Sequence, residues 1–305
     1  MDSLSTANVE FCLDVFKELN NNNVGDNIFF SPLSLLYALS MVLLGARGRS
    51  AEQMEKVLHF NHIAEPLKLQ FKDSAECSQA GRIHSEFGVL LSQINQPDSN
   101  YTLSIANKLY GTQDVAFLQG KSVLVDMMYQ TGTFNMAFVR EPQMQVLELP
   151  YADRTLSLVV LLPAGATALD QVEKQLNVKT FYKWTSSSNM MQRDVEVHLP
   201  RFKLEIKYEL NSLLKSLGMI DVFNQIKADL SGISTAKGLY LSKVVHKSYV
   251  DVNEEGTEAA TATGDNLVMK RLPIRAQFVA NRPFLFFIKH SGTNTILFCG
   301  KLASP

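Results

Sequence analysis

The chain has 305 residues, of which 46% are hydrophobic and 19% charged, enough apolar material for a buried core and too little charge for a disordered chain. Lys and Arg number 29 against 30 Asp and Glu, a net charge of -1, so no global field draws the chain to nucleic acid or to an anionic membrane. Cys12, Cys77 and Cys299 form no C-x-x-C pair, which argues against a disulfide framework and a thiolate zinc site and fits free thiols in a reducing compartment.

The opening twenty residues carry Asp2, Glu10 and Asp14 and lack the basic start and unbroken apolar run of a signal peptide. Val9, Cys12, Leu13, Phe16 and Leu19 recur three and four apart, which predicts an amphipathic helix over residues 4–20 and a cytoplasmic protein. The stretch from Ile28 to Ala46 has no charge. Ser31-Pro32 reads as an N-cap with proline in the first turn, so the helix it opens, over 32–45, is too short to span a membrane. Ser50 followed by Gln53 has the spacing of a capping box and predicts a helix over 50–58. Another is expected from about Gly81 to Ile94, ending before Asn95, Pro97 and Asp98. Asn100-Tyr101-Thr102 is a glycosylation sequon, usable only on a secretory route.

The texture then changes. Leu103 to Tyr110 reads as a strand, and from Val123 onward β-like runs dominate: VLVDMMY, MQVLELPY, LSLVVLLP, VEVHLPRFKLEI, KVVHKSYVDV and FLFFIKH. Helical patterns interrupt them at about Leu169 to Gln175 and Tyr208 to Leu217, the second closed by Gly218. Irregular interleaving of this kind predicts an α+β fold, not a doubly wound sheet.

No nucleophile elbow, zincin helix, Walker loop or dinucleotide fingerprint occurs, so an enzyme is not expected. His59 and His62 could share one side of a helix but lack a third ligand, and read as surface residues. His84, His198, His246 and His290 are isolated; His198 and His246 fall in strand patterns and read as partly buried packing residues. Cys299, in ILFCG, reads as a small core residue. No metal or cofactor is expected.

One segment breaks the pattern around it. KVVHKSYVDV runs into Glu254-Glu255-Gly256 and then Thr257-Glu258-Ala259-Ala260-Thr261-Ala262-Thr263. Residues this small make no core, yet when extended they place Thr257, Ala259, Thr261 and Thr263 on one face, able to enter a sheet without overpacking it. Composition alone also suits a flexible linker. Beyond it lie Lys270 and Arg271, followed by Leu272-Pro273, a dibasic pair that a trypsin-like protease could cut.

Six motifs in order, NIFFSPLSL at Asn27, ANKLYG at Ala106, LPRFKLE at Leu199, VNEEGTEAA at Val252, ANRPFLFFI at Ala280 and FCGK at Phe298, resemble the serpin family. The resemblance is closest to its ovalbumin-type intracellular branch, clade B. It implies a single domain over residues 1–305 with N-terminal helices, a large sheet A, sheets B and C and an exposed reactive-centre loop. It also implies suicide inhibition of a protease, in which the cleaved loop inserts into sheet A and drags the acylated protease with it. By resemblance Glu254 to Thr263 form the hinge, within a hinge and loop over 254–280. The reactive bond is Lys270–Arg271, or with a one-residue shift Arg271–Leu272. Either cation suits a trypsin-like serine protease, and the protein is expected to be a monomer.

The resemblance has a gap. After Gly111 the family continues with a helix, the first strand of sheet A, a covering helix and the third strand, and none of these is present. Phe117-Leu118-Gln119 runs into Gly120-Lys121-Ser122, placing the break near 118–122. Intact motifs on both sides read as the loss of one spliced coding segment. Without the third strand the insertion slot lacks a wall, which makes the alternative a non-inhibitory variant, a protease substrate or a binding protein.

Overall fold

The computed structural model describes residues 3–61, 75–94, 126–151, 155–234, 238–253 and 275–304. The first helix, α1 (Ser3–Asn22), turns Val9, Phe11, Cys12, Val15 and Phe16 inward as its spacing predicts. A three-residue strand, β1 (Ile28–Phe30), precedes α2 (Pro32–Gly45), whose start is as expected: the Ser34 N–H donates to Ser31 Oγ at 3.2 Å. Splitting the uncharged run between a strand and a 14-residue helix leaves nothing long enough to cross a bilayer, and no helix among the described residues is long and apolar enough to do so.

The expected capping box fails. Helix α3 (Gly48–Val57) starts two residues before Ser50, with Arg47 at the cap position, where its side chain makes no capping bond. Ser50 and Gln53 instead serve a distant segment, Ser50 Oγ accepting from the Asp229 N–H at 3.0 Å and Gln53 Oε1 from the N–H groups of Ile220 and Asp221 at 2.9 and 2.7 Å. Helix α4 (Ala75–Ile94) begins upstream of the expected start at Gly81 but ends where predicted.

The strand-rich part begins with β2 (Met127–Arg140), which starts four residues later than VLVDMMY and extends far beyond it. It is followed by β3 (Gln143–Pro150), β4 (Leu156–Pro163), α5 (Leu169–Gln175) and α6 (Val178–Thr185), a helix capped by Asn177 that was not expected, although Val178, Phe181 and Tyr182 have helical spacing. The run VEVHLPRFKLEI is two strands, β5 (Met191–Pro200) and β6 (Phe202–Glu209), broken at Arg201 and assigned to different sheets. The helix expected from Tyr208 shrinks to α7 (Asn211–Ser216), because Tyr208 belongs to β6. Gly218 follows it at φ 116°, a conformation that a Cβ disfavours, as a C-terminal glycine should. The remaining strands are β7 (Val245–Val252), β8 (Ala276–Val279), β9 (Phe284–His290) and β10 (Ile296–Leu302). The expected strand Leu103 to Tyr110 lies outside the described residues.

Eight strands hydrogen-bond in the order β1-β10-β9-β4-β3-β2-β5-β8, antiparallel throughout except for the parallel pair β5–β8. β2 is shared: its residues 127–136 pair with β5 and its residues 135–140 with β3. Strands β6 and β7 form a separate two-stranded antiparallel sheet. One core lies between the large sheet and the helices, around Phe11, Phe16, Leu36, Phe87, Phe181 and Phe287. The other lies on the opposite side, where Phe29, Phe202, Leu204, Phe278, Phe284 and Phe286 join the large sheet to β6–β7. Rings of Phe29, Phe286 and Phe298 stack there, with centroids 6.0 and 5.3 Å from Phe29.

Candidate functional site

Strict alternation in β6 and β7 builds the sheet from which the bait segment departs. Phe202, Leu204, His246 and Ser248 are buried on its inner face, while Lys203, Glu205, Lys207, Lys247 and Tyr249 stand exposed on the outer one. The register pairs Phe202 with Val252 and Glu209 with Val245. Outer-face charges alternate in sign: Lys203 meets Asp251 at 2.8 Å, Lys243 meets Glu209 at 2.7 Å, and Lys247 pairs with Glu205.

The exit end of β7 is tied down through Asp251. Its carboxylate takes bonds from Lys203, from the Tyr249 hydroxyl at 3.2 Å and from Asn253 Nδ2 at 3.3 Å. The Lys203 hydrogen bond is the main cause of an Asp251 pKa below the ordinary carboxylate value. Beneath, Val252 and Asn253 border a cavity of about 60 Å³ shared with Met128, Leu149, Tyr151 and Leu199. Burial there pushes the Tyr151 phenol up. The entry end is held by His246, whose Nε2 accepts the Ser31 N–H at 2.9 Å and stands 2.7 Å from the Ser248 hydroxyl. Burial lowers its pKa to about 4, so the ring is neutral and links β7 to the start of α2.

The far side of the bait segment returns through β8. Phe278 is fully buried, β8 pairs in parallel with β5 from Val195↔Ala276 to His198↔Val279, and the Ala280 N–H donates to the His198 carbonyl at 2.9 Å. Glu254, Glu255, Gly256, Thr257, Glu258, Ala259, Ala260, Thr261, Ala262 and Thr263, and Lys270, Arg271 and Leu272, lie outside the described residues. What the structure places is the frame, β7 to Val252 on one side and β8 from Ala276 on the other.

Of the histidines, His246 is buried as expected, and His198 is half-buried with its ring 5.0 Å from that of Tyr129. His59 sits just past α3 at φ 57°, a correction to its place on a helix face, and pairs with Glu10 and Asp14 at 3.4 and 2.8 Å; His62 lies outside the described residues. Cys12 and Cys299 are free and buried. The Ser31–His246 link and the Asp251 cluster escaped the sequence reading. The Ser-Pro motif and a lone histidine in a strand pattern were the signals, but nothing in sequence says that residues 215 apart meet.

The family described as Serpin (serine protease inhibitor) matches this chain over residues 6–120 and 117–305. The chain belongs to the serpin family. Serpin B11 of Homo sapiens is 59% identical over 392 aligned positions, covering all of both chains, and the leukocyte elastase inhibitor of Xenopus laevis is 34% identical over 397 positions with the same coverage. Among solved structures, uncleaved ovalbumin superposes with a TM-score of 0.79 at 30% identity, again over the whole of both chains. These relatives place this serpin in the ovalbumin-type branch, clade B, and the expected serpin fold, α+β with a large sheet, is confirmed. It is also incomplete, its 305 residues being spread over those 392 positions.

Proposed function

We propose that this serpin offers the bond Lys270–Arg271 as bait to a trypsin-like serine endopeptidase, the inhibitory task for which its family is described. The observation that carries this reading is the continuity of a serpin frame with a bait sequence: β7 ends at Val252, one residue short of Glu254-Glu255-Gly256, and β8 resumes at Ala276. Glu254 to Thr263 then serve as the hinge, and the cation at Lys270 fills a specificity pocket floored by a carboxylate. Arg271–Leu272 is the alternative bond. Buried free thiols at Cys12 and Cys299 suit a reducing, cytoplasmic setting.

A second reading, cleavage without trapping, is favoured by β7 itself. Among the described residues it pairs only with β6, so an inserting loop would find one wall where a slot needs two. The segment lost lies where the two family matches meet, at 117–120, and a transcript joined at Gln119 would account for it. Equimolar trypsin followed by denaturing electrophoresis and fragment masses separates the readings. A complex stable to SDS supports inhibition; a single cut after Lys270 or Arg271 without a complex supports a substrate. Cleavage unchanged in Lys270→Ala/Arg271→Ala defeats both.

A further inference from the structure

An eight-residue strand with a bare edge is a template for another strand, because its outward N–H and C=O groups have no partner. β7 is such a strand among the described residues, bonded to β6 on one side only. Its outer-face side chains say what fits there. Lys247, Tyr249 and Asp251 follow one another on that face, a cation and an anion spaced symmetrically about a tyrosine. When a second β7 runs antiparallel with Tyr249 opposite Tyr249, Lys247 of each copy falls opposite Asp251 of the other, and the two-fold axis makes that pairing twice.

Other arrangements lose this match. Centring on Ser248 sets Lys247 against Tyr249, and centring on Val250 sets Tyr249 against Asp251, so neither joins opposite charges. Parallel pairing in register stacks Lys247 on Lys247 and Asp251 on Asp251. In the favoured register the partners within each chain extend the pattern, since Lys203 already binds Asp251 and Glu205 already binds Lys247. Across the four strands Lys203 lies opposite Asp251 and Asp251 opposite Lys247 of the second copy; that Lys247 faces its own Lys207 in register and is neutralised diagonally by its own Glu205. Tyr249, 57% exposed, stands at the centre against its own symmetry mate.

We propose that the free edge of β7 is a two-fold interface between two copies of this chain, antiparallel and centred on Tyr249. The proposal replaces the expectation of a monomer and is independent of any protease, so its test does not depend on the bait reading. The register makes it sharp. Tyr249→Cys is expected to give a disulfide-linked dimer under mild oxidation, because only the residue on the axis faces itself. Lys247→Cys and Asp251→Cys are each expected to give none alone and a dimer when mixed. Sedimentation velocity supplies the second readout: Lys247→Glu should weaken dimerisation by about tenfold, and Lys247→Glu/Asp251→Lys should restore it. These side chains lie on an outer face, so each variant is expected to keep the parent's circular dichroism. A chain that stays monomeric overturns the proposal. So does a dimer that neither links through Tyr249→Cys nor responds to charge exchange.

Discussion

His246 on β7 and Ser31 at the head of α2, 215 residues apart, are joined by a 2.9 Å hydrogen bond in which the imidazole Nε2 is the acceptor. An accepting Nε2 puts the ring proton on Nδ1, and adding a second proton sets one N–H against another. The ordinary value of 6.5 falls to about 4 in the fold because burial penalises the cation. A depressed folded-state value means that the unfolded chain takes up the proton first, so the stabilisation is complete above pH 6.5 and is lost as pH falls toward 4. The shift corresponds to about 3 kcal/mol. Urea unfolding between those pH values should show this loss, and His246→Gln, which cannot titrate, should flatten it; an unchanged slope in the variant would show that another group is responsible.

Lys289 and Glu148 form a buried pair at 3.2 Å, their side chains 5% and 10% exposed. Burial raises the Glu148 pKa, but the Lys289 charge and the hydrogen bonds from Asn135 and Lys289 outweigh it and leave the carboxyl below 4.5. Lys289→Met strands that carboxylate and is expected to cost about 3–5 kcal/mol in denaturant unfolding, whereas Lys289→Met/Glu148→Leu should recover most of the loss. With both ions present the stabilisation from Glu148 holds above pH 4.5 and declines as pH falls below it.

Asn8, fully buried in α1, donates to the Ile296 carbonyl at 3.2 Å and accepts its N–H at 2.8 Å. This side chain closes the helix onto the end of the chain. Asn8→Ala leaves both backbone groups unpaired and should cost about 2 kcal/mol or more. Hydrogen exchange at Ile296, speeded in the variant, is the local check.

Gly300 faces the stacked rings so closely that a Cβ there would stand 2.2 Å from Phe286 Cζ. Gly300→Ala should therefore destabilise by about 1–3 kcal/mol. Gly88, on α4, has nothing within 4 Å of an added Cβ, and Gly88→Ala should stabilise by up to about 1 kcal/mol. Thermal unfolding of the two variants, moving in opposite directions, checks the packing on both sides of the sheet.

Long apolar runs and capped helices were legible in the sequence, while contacts across distance were not. β4 and β9 match the runs LSLVVLLP and FLFFIKH residue for residue, since a strand buried on both faces needs no alternation and stops at its polar neighbours. The helix after Ser31-Pro32 was legible because cap and proline act locally. Ser50 and Gln53 misled for the converse reason: the same acceptor groups that cap a helix also bind N–H groups brought close only by the fold. The passage from β5 to β6 at Arg201 was hidden by an alternation that continues across it, though Pro200, unable to donate to a ladder, marked the spot. For the candidate site, the hinge and bait are expectations from family motifs on residues outside the described ones, whereas the anchoring of β7 through His246 and Asp251 required the fold.

β2 gives one length of backbone to two neighbours, β5 along its residues 127–136 and β3 along its residues 135–140. Mechanically it is a splice between two panels, and tension that enters at Ala276 can leave β8 along the chain into β9, by the Gln145–Gln277 bond to β3, or by the hydrogen-bonded path β8, β5, β2. The joint between β8 and β5 is the shortest on that path, spanning only Ala276–Val279. A pull on the bait segment is therefore expected to peel β8 away from β5 first, like the free end of a strap, and then to pass its load along the chain into β9.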